Sequence, residues 1–150
     1  MKIYLDNCVY NRPYDKLEEL TVDLEAQAKL RIQYWIRDGK YELVTSEILM
    51  MEVNDCPIDI RKTGISEFII ENSSIHVGSN NNEKINEMAL QIMKTGVKYK
   101  DACHIASAII ADCEYFISTD KRLLKYKTDS LKLVTPIEFI SEMEDEFYEW

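Results

Sequence analysis

The chain has 150 residues, 46% hydrophobic and 30% charged, with few Gly and Pro; this suits one globular domain over residues 1–150 and excludes a long disordered tail. A formal net charge of −9 excludes a protein that coats nucleic acid through a broad basic surface, while a compact acidic site working through metal ions stays open. The four cysteines form no C-x-x-C pair and only two histidines accompany them, which argues against structural zinc. No apolar run approaches the length of a membrane span and Asp6 interrupts the N-terminus, so a reduced, cytosolic protein without a membrane partner is expected.

Ile3-Tyr4-Leu5 is a short β-branched and aromatic run that stops at Asp6, the pattern of a buried strand delivering a carboxylate. Asn11 to Asp15 reads as a turn around Pro13. A helix follows from about Thr21 to Asp38, with an apolar stripe of Leu20, Leu24, Ala28, Trp35 and Ile36 and a terminal cap at Gly39. Tyr41 to Thr45 is the second strand, completing a βαβ unit.

Ser46 caps a short helix that must end before Pro57. On that helix Glu52 shares the stripe of Ile48 and Leu49 and therefore needs a partner, whereas Glu47 in the first turn is explained by the helix dipole. Ile58 to Ile69 forms a further helix, Ile75-His76-Val77 a short strand or edge segment, and Gly78 to Asn82 a loop. Ile85, Met88, Ala89, Ile92 and Met93 have helical spacing, ended by Gly96.

The next helix places Asp101 at or near its start and turns Ala102, Ile105, Ala106 and Ile109 inward. Tyr115 to Asp120 repeats the opening pattern of a strand ending at a carboxylate, and Leu131 to Val134 is the last strand. Thr135-Pro136-Ile137-Glu138 opens the final helix with a capping box. The alternation predicts a single-domain α/β fold, a parallel sheet with helices on both faces.

Four carboxylates stand out by position: Asp6 and Asp120 at strand ends, Asp101 at a helix start and Glu52 on an inward stripe. Adjacent strands would bring Asp6 and Asp120 within reach, and clustered like charges stay ionised only with cations among them. Oxygen ligands without His or Cys nearby select Mg²⁺ or Mn²⁺. Local explanations also exist: a helix cap at Asp101, a turn or cap at Asp6 and Asp120, and a salt bridge at Glu52.

Ile3-Tyr4-Leu5-Asp6-Asn7, Ser46 with Glu52, Asp101-Ala102 with Ile105-Ala106, and Ser118-Thr119-Asp120 resemble, in order and spacing, the PIN-domain ribonucleases, which include VapC-like toxins. The resemblance covers almost the whole chain and implies a PIN-like, three-layer α/β/α domain. It further implies an endoribonuclease that cleaves RNA phosphodiesters, single-stranded or structured, with Mg²⁺ or Mn²⁺ held by Asp6, Glu52, Asp101 and Asp120 as catalytic and metal-binding acids. An antitoxin protein and a second copy of the chain are the implied partners, the latter also suggested by the exposed-looking Trp35 and Trp150.

Asn7 stands where many members have Thr or Ser, and its amide can still bind a water or phosphate. Thr119 is a second polar candidate for substrate. Arg12, Lys98, Lys100, Lys121 and Arg122 flank the acids in sequence, where each meets RNA phosphates or stands as solvated charge. His104 shares the face of Asp101, with a structural role favoured over substrate contact, and Glu25 reads as an exposed helical residue. The alternatives are a non-catalytic PIN-like module that binds RNA or protein, and a phosphoacceptor domain, which fits poorly with Asp101 at a helix start. A dehalogenase-type phosphatase would need Asp where Cys8 stands, and no P-loop run is present.

Overall fold

The computed structural model describes residues 1–12 and 19–148, with side chains through residue 144. The strands are β1 (Lys2–Leu5), β2 (Glu42–Ser46), β3 (Ser73–Val77), β4 (Tyr115–Ile117) and β5 (Lys132–Val134). The helices are α1 (Asn7–Asn11), α2 (Leu20–Arg37), α3 (Glu47–Asn54), α4 (Asp59–Asn72), α5 (Asn82–Met93), α6 (Tyr99–Ile110) and α7 (Pro136–Tyr148). All five strands are parallel in the order β3-β2-β1-β4-β5, the α/β architecture expected from the alternation.

Consecutive residues Ile3, Tyr4 and Leu5 are all fully buried, so β1 is covered on both faces, as a central parallel strand must be. Side chains alternate across β4 and separate the two helical layers. Tyr115 packs edge-on against Phe139 of α7, while Phe116 stacks on Tyr4, which meets His104 of α6. On the α7 side Trp35 and Tyr41 complete an aromatic cluster with Phe139. The chain runs outward from β1 to β3 and returns on the other side of β1 as β4. The switch point, where open α/β sheets form their crevice, therefore lies between β1 and β4.

Local signals explain most boundaries. Ser46 Oγ accepts from the Leu49 N–H to cap α3, and the Thr135–Glu138 capping box opens α7. Gly39, at φ +79°, ends α2 in a Schellman turn: its own N–H bonds Ile36 and that of Lys40 bonds Trp35.

Several expectations are corrected. Asn11 belongs to α1 and Arg12 caps it, because Asp6 starts a helix at once; residues 13–15 of the proposed turn lie outside the described residues, as does Trp150. Ser79–Asn81 is a 3-10 turn leading into α5 rather than an open loop. Leu20 and Leu24 of the α2 stripe are exposed, whereas Glu25, Lys29 and Gln33 are buried. Trp35 is buried too, which removes its support for a second copy of the chain. Among the described residues no helix is long and apolar enough to cross a membrane.

Candidate active site

Leu5 is the last residue of β1, and Asp6 follows it as the N-cap of α1, accepting from the Asn7 N–H at 2.8 Å. The Asp6 N–H still pairs with Ile117 of β4 at 2.9 Å, so the carboxylate stands at the switch point. Its Oδ2 accepts from Ser118 Oγ at 2.9 Å and from the Cys8 thiol at 3.4 Å. Ser118 Oγ in turn accepts the Asp120 N–H at 3.1 Å. One buried serine thus ties the ends of β1 and β4 together.

Asp120 Oδ1 accepts the N–H groups of Arg122 and Leu123 at 3.0 and 3.4 Å, so one oxygen organises the following 3-10 turn, Leu123–Lys125. Asp101 is the third residue of α6, whose N-cap is Lys98; it is not the cap that a local explanation required. Its carboxylate makes no hydrogen bond to any described residue, and it is half-buried. Burial pushes its pKa up, and the charges of Asp6, Asp120 and Glu52 push it further, against a smaller opposing effect of His104. The three other acids therefore act on Asp101 together.

Glu52 reaches the cluster from α3. Its partner is His104, whose Nε2 donates to Glu52 Oε1 at 2.7 Å, and not a Lys or Arg. Burial raises the Glu52 pKa, but the His104 hydrogen bond and charge, Lys100 and the Asn7 amide outweigh it, leaving the carboxyl below its usual range. His104 is fully buried, with Nδ1 2.6 Å from the Tyr4 hydroxyl, which lies 2.6 Å from Ser46 Oγ. Burial disfavours the imidazolium, yet the Glu52 hydrogen bond and the charges of Asp6, Glu52 and Asp101 hold its pKa above the ordinary value. In both protonation states Nε2–H points at Glu52.

A chain of hydrogen bonds from Leu49 through Ser46, Tyr4 and His104 thereby fixes Glu52 from within the core. Sequence reading left out this relay, the Ser118 link and the contact of Cys8 with Asp6. A buried-strand Tyr, a strand-end Ser and the His one turn after Asp101 were the available signals.

His104 and Cys8 correct the expectation that no His or Cys stands near the acids. Neither is a free donor. Both ring nitrogens of His104 are engaged, and burial, then Asp6, push the Cys8 thiol up to about 12, so it remains an S–H. The groups left to face an ion are carboxylate oxygens, which suit Mg²⁺ or Mn²⁺. Among the described residues no three His, Cys, Asp or Glu side chains converge closely enough to enclose one.

Of the substrate candidates, Asn7 lines a depression of about 530 Å³ with Glu52, Lys98, Lys100 and Asp101. Thr119 is half-buried and its N–H meets Cys8 Sγ at 3.4 Å. Arg12 Nε pairs with Glu25 Oε1 at 3.2 Å, which also corrects Glu25 from exposed to buried. Lys121 is exposed and lines neither of the depressions beside the acids.

No protein-family model and no curated protein sequence matches the chain. Two solved structures are similar in fold. The structure of VapBC2 from Rickettsia felis, bound to a DNA fragment from the promoter, matches at 12% identity with a TM-score of 0.57. FitAcB from Neisseria gonorrhoeae matches at 14% identity with a TM-score of 0.51. Each likeness covers 90% of this chain and 98% of the other. At such identities what is shared is the architecture: the chain has a PIN-like α/β fold.

Proposed function

We propose that residues 1–150 form a PIN-like nuclease domain, a Mg²⁺- or Mn²⁺-dependent endoribonuclease that hydrolyses RNA phosphodiester bonds. The observation that carries this reading is Asp101: a carboxylate with no hydrogen bond from the described residues, facing Asp6, Asp120 and Glu52 at the switch point of the sheet. A protein has little reason to gather three acids around an unrelieved fourth unless a cation joins them.

A bound divalent cation supplies charge neutralisation at the phosphoryl oxygens and acidifies an attacking water. The chain's own residues divide the holding and aiming. Asp6, pinned by Ser118, Cys8 and the Asn7 N–H, presents its carboxylate in one orientation. Glu52 is kept ionised by His104. Asp120 spends Oδ1 on its loop and leaves Oδ2 for the ion, while Asp101 has both oxygens to offer. Asn7 and Thr119 stand beside these acids as donors to substrate or water.

The same reading makes the protein the toxin of a toxin–antitoxin pair, held in check by an antitoxin protein, a role the likeness to VapBC2 and FitAcB supports. A second reading, a non-catalytic PIN-like module binding RNA or protein, is favoured by the absence of a converged ligand triad among the described residues. Cleavage separates the two. Asp6→Asn and Asp101→Asn should each abolish Mn²⁺-dependent cleavage of single-stranded RNA, a loss of at least about 100-fold, while circular dichroism stays native. Undiminished cleavage by these variants, or by the wild type in excess EDTA, rules out the metal-nuclease reading.

A further inference from the structure

Beside the acids lies a cavity of about 760 Å³, with Asp101 and Asp120 in its walls. Its walls carry Lys98, Arg122, Lys125 and Lys127. In a chain with 27 acidic and 18 basic residues, four cations around one hollow invert the local sign. All four are exposed, and none forms an ion pair with a described residue, unlike Arg12 and Lys132, which are paired to Glu25 and Glu142. The only acids in the walls are the two proposed as metal ligands, so a cation there would leave the hollow purely basic.

We infer that this cavity is a binding track for the phosphate backbone of single-stranded RNA, leading away from Asp101 and Asp120 along Lys98, Arg122, Lys125 and Lys127. The inference rests on the nuclease reading for its direction, since the scissile phosphate is taken to sit at the acids. The neighbouring depression, with Glu52, Asp55 and Asp101 against Lys98 and Lys100, lacks the basic excess, so the backbone is gripped in the first cavity alone.

The loop is built for this. Asp120 Oδ1 caps the turn that carries Arg122 and Lys125, and buried Leu123 anchors it. The track is therefore held in register with a proposed ligand of the ion. Tyr126, half-buried and packed against the core, lines the same cavity. Gly96, which also lines the cavity, has open space where a Cβ would stand. A duplex is disfavoured because its second strand would lie against a surface that is acidic outside this cavity.

The test is fluorescence anisotropy with a short fluorescein-labelled oligouridine, titrated in EDTA between about 50 and 200 mM salt. Lys125→Gln/Lys127→Gln should weaken binding at least about tenfold and lower the log–log salt slope by about 1.4, the value for two lost contacts to single-stranded phosphates. Lys62→Gln/Lys84→Gln, an equal charge change outside the cavity, should leave both unchanged. Equal losses in the two pairs would reduce the effect to net charge and overturn the track. So would wild-type affinity in the Lys125/Lys127 variant, or tighter wild-type binding to duplex RNA than to the oligouridine. Because binding is read without metal, failure of Mn²⁺-dependent cleavage would sink the nuclease reading separately and leave this measurement standing.

Discussion

Glu52 and Asp101 stand in the same acidic cluster, yet the protein treats them in opposite ways. Glu52 receives His104 at 2.7 Å and is held below the ordinary carboxylate range. Asp101 receives no hydrogen bond from the described residues and is pushed above its ordinary range. One carboxylate has its charge balanced by the core; the other carries a charge that only something from outside can balance. The contrast divides the site into a half that serves stability and a half that gives up stability, as the proposed metal site would require.

The His104 half should yield the largest effect on folding. His104→Leu keeps the apolar packing but removes a charge-assisted hydrogen bond from Glu52 and one of the two partners of the Tyr4 hydroxyl, which keeps Ser46; a hydrogen bond to a charged group contributes about 1.5–3 kcal/mol. A loss of about 2–4 kcal/mol in urea denaturation without metal is expected. His104 has a raised pKa in the folded state, so its contribution is full below the ordinary His value and declines as pH rises through the folded one. The deficit of the variant should accordingly be larger at pH 6 than at pH 9. A deficit below about 1 kcal/mol would mean that the relay does not stabilise the fold.

The Asp101 half should respond to cations instead. Mn²⁺ at about 100 times its dissociation constant should raise the wild-type Tm by about 5–10 °C, reversed by EDTA. Asp101→Asn should lose more than half of that shift. No shift in the wild type would favour the non-catalytic reading of the fold.

Much of this contrast was legible before the structure, but not its sign. Asp6 and Asp120 could be found because a strand that ends at a carboxylate is a local pattern, and β1 and β4 do pair. Glu52 could be flagged as needing a partner because it lies on an apolar stripe. Which partner it has depends on α6 packing against α3 across 52 residues, and no local rule carries that distance. The same limit hid Lys125 and Lys127, which meet Lys98 only in space. Within α2 the failure was different: buried Glu25, Lys29 and Gln33 recur every four residues, so a stripe counted in apolar residues alone held Ala28, Trp35 and Ile36, which are buried, but took in exposed Leu20 and Leu24 and passed over these three. At α1 the proline signal at Pro13 outweighed the capping signal of Asp6, and the short helix went unread.

The smallest expected effect is the sharpest test of the comparison, because its sign is unusual for an active-site residue. Asp101 has a raised folded-state pKa, so the fold prefers its neutral form, and stability is lost as pH rises from the ordinary Asp value through the folded one. Asn cannot ionise and is spared that loss. In EDTA at pH 7.5, Asp101→Asn should therefore melt about 1–3 °C above the wild type, a small gain because the side chain is only half-buried and water screens part of the repulsion. Toward pH 4 the gain should shrink, as the wild-type carboxyl takes up its proton. Glu52→Gln, by contrast, gives up a favourable pairing with His104 and should melt below the wild type at pH 7.5. Substitutions that shift Tm in the same direction at both positions would show that the two carboxylates are not differently held, and the division of the site would fall.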